Sequence, residues 1–131
     1  MQQHTLIEIG ENTSTAWNAI APHLTRGAHG SILIIGGDGS GHVGLHVVAM
    51  AKALGVRNIE YLDTDIDRLE RAWMTGARVK EGPPPKSHGS HPIAINCSED
   101  AGALACAIRS TAPGGVCFNA ARPALVLSAV N

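Results

Sequence analysis

Aromatic residues are scarce: Trp17, Tyr61, Trp73 and Phe118 are the only four in 131 residues. The core must therefore be built from Ala, Val, Ile and Leu, which suits helices lying close on an aliphatic sheet. Charge is scarce too. Charged residues make up 16% of the chain and the formal net charge is -1, which removes the counterion release that non-specific nucleic-acid binding depends on. No nucleic-acid partner is expected. The three cysteines, Cys97, Cys106 and Cys117, form no C-x-x-C pair, which argues against a disulfide framework or a zinc knuckle and leaves core filling as their role. No uncharged apolar run approaches the ~20 residues of a membrane span, and the start MQQHTLIEIGEN lacks the basic and apolar stretches of a signal peptide. The expectation is a cytoplasmic protein with no membrane partner.

The length suits one domain, residues 1–131, with 1–26 as a lead-in segment and 27–131 as the core. Ser14 can cap a helix carrying Trp17, Ile20, Ala21 and Leu24, which Pro22 should kink or end. Ser31 to Ile35 is a β-branched run without polar alternation, as in a central parallel strand covered on both faces. A glycine cluster from Gly36 to Gly44 follows, then a helical stripe of Val47, Met50, Ala51 and Leu54 that stops at Gly55. Asn58 to Asp63 reads as a second strand. Thr64 and Asp67 form a capping box for a helix with Ile66, Leu69 and Trp73, ending at Gly76. Ala77 to Lys80 gives a short third strand, and Glu81 to Ser90 has the composition of a loop. His91 to Asn96 is a fourth strand, Ser98 caps a helix with Ala101, Leu104, Ala105 and Ile108 inward, and Pro113-Gly114-Gly115 ends it before a fifth strand, Val116 to Asn119. This alternation predicts a doubly wound parallel α/β sheet, the Rossmann fold, in the order 3-2-1-4-5. Ala124 to Val130 is a candidate sixth, edge strand, which pairing with its own copy in a homodimer would cover.

Gly39-Ser-Gly41-His-Val-Gly44 is a G-x-G-x-x-G between a strand and a helix, and Asp63 ends the next strand 19 residues after Gly44. That is dinucleotide spacing: glycines permit a tight turn, close backbone approach to pyrophosphate and close helix packing, and the acid takes the ribose hydroxyls. The alternative is a glycine loop that serves packing alone.

Three segments carry a family resemblance: Gly27 to Gly37, Gly41 to Gly55, and Tyr61 to Ala72 with Thr75-Gly-Ala77. Together with Asn12 to Ala19 and Arg109 to Val116, they resemble the coenzyme domain of medium-chain, zinc-type alcohol dehydrogenases. The resemblance implies an NAD(H) site formed by Gly36, Gly39, Gly41, His42, Val43 and Gly44 at the pyrophosphate. Asp63 would hold the adenosine ribose, with Thr64 and Arg68 beside it. The approach to the fingerprint is about three residues longer than the family's, and Asp38 lies inside it. The family's separate catalytic domain, with its zinc ligands, has no counterpart here, so the expectation is an NAD(H)-binding domain without dehydrogenase activity of its own. The alternatives are the coenzyme half of an enzyme completed by a separate catalytic subunit and, further off, an S-adenosylmethionine-binding protein.

Other constellations are weaker. His42 and His46 have i, i+4 metal-ligand spacing but no third ligand, so no zinc is expected. His88 and His91 read as solvated loop histidines. Ser40 lacks G-x-S-x-G, and Pro83 to Pro85 read as a stiff loop.

Overall fold

The computed structural model describes residues 5–8, 18, 20–24, 30–37 and 43–120. Among them six parallel strands form one sheet: β1 (Thr5–Glu8), β2 (Ser31–Ile35), β3 (Asn58–Asp63), β4 (Arg78–Glu81), β5 (His91–Asn96) and β6 (Thr111–Asn119). Their order is β1-β6-β5-β2-β3-β4. The five strands from β2 onward thus stand as expected, with β2 at the switch point between the two directions of winding.

The sixth strand differs in detail. Thr5–Glu8 pairs with Val116–Asn119, whose other side pairs with β5. Both edges of the fifth core strand are therefore taken, and the position expected for Ala124 to Val130 is filled from the other end of the sequence. Ala124 to Val130 itself lies outside the described residues, as do Ser14 and Trp17.

Among the described residues the helices α1 (Val43–Ala53), α2 (Ile66–Thr75) and α3 (Ala101–Arg109) cover the sheet. The short helical stretch 20–24 joins α1 and α2 on one face, where Ile20, Leu24, Val43, Val47, Val48 and Ala51 pack on Ile32, Ile34, Tyr61, Ile93 and Ile95. Pro22 does not end that stretch, because Ile20 and Leu24, one turn apart and buried, hold it on the sheet. On the other face Ala103, Cys106 and Ala107 of α3 meet Leu33, Ile35, Leu62, Ala94 and Cys117. The cysteines fill core volume, and burial pushes the Cys117 thiol up to about 12, so it stays protonated and unreactive.

Several local expectations are corrected. The buried stripe of α1 is Val43, Gly44, Val47, Val48 and Ala51, while Met50 and Leu54 are exposed. On α2 only Leu69 and Ala72 are buried; Ile66, Trp73 and Met74 face outward, because α2 lies over the β3–β4 margin and only its Leu69–Ala72 side meets the sheet. The helix caps are Asp65 and Asp100 rather than Thr64 and Ser98; their carboxylates accept from the amides of Arg68 (2.8 Å) and Gly102 (2.8 Å). The helical stop at 113–115 is instead part of β6, where Ala112 to Gly115 bulge out between the Thr111–His91 and Val116–Ile93 pairs.

Between β4 and β5 the chain makes its crossover without a helix. Residues 82–90 run beside α3 towards the amino ends of the strands: the Lys86 carbonyl accepts from Arg109 Nη1 (3.5 Å), and the His88 amide donates to Ser110 Oγ (2.7 Å). His88 and His91 are not solvated loop side chains. His91 is buried, its Nε2 donates to the His88 carbonyl (2.8 Å), and its Nδ1 lies 2.6 Å from Ser31 Oγ. His88 Nε2 donates to Glu60 Oε1 (2.7 Å). A proline-rich segment that cannot satisfy its own backbone is thus held by side chains at the base of the sheet.

Removing one such anchor should be measurable. Ser110→Ala leaves the His88 amide without its acceptor, at a cost of about 1–3 kcal/mol. Denaturant melts should show that loss, and hydrogen exchange of the His88 amide should quicken more than that of the β2 amides.

Candidate functional site

The carboxyl ends of β2, β3 and β5 meet in a pocket of about 160 Å³. Its walls include Ile35, Gly36, Leu62, Asp63, Ser98 and Asp100, with Gly82 and Pro84 arriving from the helix-free crossover. This is the crevice at the topological switch point, where open α/β sheets bind ligands.

Asp63 dominates it. Alternation along β3 puts Tyr61 and Asp63 on one face, and both are almost fully buried. Asp63 Oδ2 accepts from the Tyr61 hydroxyl (2.7 Å) and from Arg68 Nε (2.8 Å). Oδ1 accepts from the amides of Thr64 (2.7 Å) and Asp65 (3.1 Å) and from Arg68 Nη2 (3.0 Å). Burial alone would raise the carboxyl's pKa, but the bonds from Arg68, Tyr61 and the backbone outweigh it and hold the group below the usual carboxylate range. Tyr61 moves the other way, far above the ordinary phenol value, through burial and its bond to an anion.

The glycines beside this pair are required by crowding. A Cβ on Gly36 would clash with the Tyr61 hydroxyl and with Asp63 Oδ2, and one on Gly37 would come within 2.6 Å of Ser98 Cα. Gly44, in the first turn of α1, lies so close to the sheet that a Cβ would meet Ile34, Cys97 and Tyr61 at 3.3–3.4 Å. This is the close helix packing expected of the third fingerprint glycine.

Of the predicted site residues, the structure brings together Gly36, Asp63, Thr64 and Arg68 around the pocket, with Val43 and Gly44 buried in the first turn of α1. Gly39, Gly41 and His42 lie outside the described residues. His46 is exposed on α1 and lines a separate groove with Leu45 and Arg71. Among the described residues no group of three His, Cys, Asp or Glu side chains stands close enough to hold a metal ion, and no helix is long and apolar enough to cross a membrane. Sequence reasoning missed Tyr61, Gly37, Ser98 and Asp100. The signal for Tyr61 was its i, i+2 spacing to Asp63.

No protein-family model matches the chain, and no curated protein does. Among solved structures it is similar to the alcohol dehydrogenase TADH from Thermus sp. ATN1, with 26% identity and a TM-score of 0.66 over 85% of this chain. The domain is alcohol dehydrogenase-like and of the Rossmann type. It spans about a third of the length of TADH, since the match covers 34% of that chain.

The pairing of Asp63 makes stability depend on pH. Its folded pKa is depressed, so its contribution is present above the unfolded value of about 3.9 and is lost as pH falls through the lower folded value. Asp63→Asn should cost about 3 kcal/mol at neutral pH, by removing the buried anion that takes two bonds from Arg68, and should flatten stability against pH below about 4. Urea melts of both proteins between pH 3 and pH 7 check this; parallel curves would refute it.

Proposed function

We propose that the chain is an NAD(H)-binding domain related to the coenzyme domain of medium-chain, zinc-type alcohol dehydrogenases. The observation that carries this reading is the buried, ionised Asp63 at the carboxyl end of β3, seated against Gly36 at the switch point of the sheet. The similarity to TADH supports it.

In this reading Asp63 and Thr64 hold the adenosine ribose at the end of β3. Leu62, Pro84 and Ala103 give the pocket its apolar wall, where a base can stack out of water. Gly44 keeps α1 close to the sheet, so that the positive end of the helix dipole favours the pyrophosphate. NAD(H), when bound, supplies hydride chemistry; the chain's own groups bind and orient it.

The acid also sets the coenzyme preference. A 2′-phosphate about 4 Å from a carboxylate at a partly solvated site meets repulsion on the order of 1–4 kcal/mol, which Arg68 reduces without removing. Calorimetric titration should give NADH binding roughly tenfold tighter than NADPH, with a wider gap once Arg68 is replaced by Met. Equal or tighter binding of NADPH by the unaltered chain would contradict the proposal.

A further inference from the structure

An ionised carboxylate offers about four lone-pair sites, and Asp63 already receives five donors. A ribose that presents vicinal hydroxyls to this group cannot be accepted until a donor leaves. Three of the five are fixed. The Thr64 and Asp65 amides belong to the turn between β3 and α2, and Asp65 also caps α2. The Tyr61 hydroxyl is buried and wedged over Gly36. Arg68 gives two of the five bonds from a side chain that is 19% exposed, on a long flexible stem, while the Asp63 side chain is 1% exposed. A place for the displaced guanidinium exists: Arg68 Nη1 stands 4.0 Å from Asp65 Oδ2, a carboxylate that is 41% exposed.

We propose that Arg68 is a latch on the ribose-binding acid: it closes over Asp63 when the site is empty and passes to Asp65 when a vicinal diol takes its place. The inference rests on the adenosine reading of the pocket and deepens it. Arg68 becomes a specificity-determining residue, because releasing two charge-assisted bonds to a buried acid offsets much of what the hydroxyls gain. Coenzyme binding is then weaker than the pocket's shape alone would give, since only the open form is competent. The chain discriminates less between ribose and deoxyribose than an unlatched carboxylate would.

The test uses the full chain as wild type, Arg68→Met and Arg68→Lys, each titrated calorimetrically with ADP and with 2′-deoxy-ADP. The deciding quantity is the ratio of the two affinities, which cancels any effect of the lost positive charge on the diphosphate. The ratio should widen about tenfold in Arg68→Met. Arg68→Lys, whose single ammonium cannot span both carboxylate oxygens, should fall between and stands in should the Met variant not fold. A ratio unchanged or narrowed in the variants, with ADP still bound, overturns the latch and leaves the adenosine site standing. Failure of all three proteins to bind ADP at millimolar concentration overturns the adenosine site, and the latch with it.

Discussion

The carboxylate of Asp63 is the group around which the upper half of this domain is arranged. A charge this deeply buried is tolerated only when its lone pairs are met, and here the surroundings are shaped to meet them. Tyr61 stays protonated to donate, the turn after β3 presents two amides, and Arg68 folds back from the first turn of α2. Gly36 has to be glycine because the Tyr61–Asp63 pair occupies the space a side chain would need. The same contacts set where α2 begins, since Asp65 donates to Asp63 through its amide and caps the helix through its carboxylate. Folding and ligand chemistry therefore draw on the same atoms.

The two ends of the sheet are built differently for this reason. At the amino ends, buried His91 and the pairs His88–Glu60 and His88–Ser110 tie the helix-free crossover down with side chains. At the carboxyl ends a polar ladder crosses three strands. Asn96 donates to Asn119, Asn119 donates to Glu8, and Asn96 also exchanges bonds with Ser98 on the pocket wall. Two fully buried asparagines in register keep the ends of β5 and β6 aligned without extending the apolar core into the crevice.

Much of this was legible from the sequence, and the gaps have physical causes. The aliphatic stretches Ser31 to Ile35 and Ile93 to Ile95 mark central strands because a sheet covered on both sides favours apolar residues on both faces. Asp63 was found because its spacing from Gly44 reflects the length of one helix and one strand. Exposed Ile66 and Trp73 were misplaced because periodicity reports which residues share a side, not how wide the contact with the sheet is. Strand β1 was missed because four residues carry too little pattern, and its pairing with β6 joins positions more than a hundred residues apart. The saturation of Asp63 was also beyond the sequence: Arg68 is visible as a neighbour one turn away, but its two bonds to the acid are a fact of geometry.

The account turns on whether a dinucleotide enters at Asp63. Amide chemical-shift mapping of the full chain titrated with NADH tests this most directly. The account predicts that, among the described residues, the largest shifts fall at Gly36, Gly37, Thr64, Asp65 and Ser98. Shifts centred instead on His88, Gly89 and Ser110 at the opposite end of the sheet, or no shifts at saturating NADH, would contradict it.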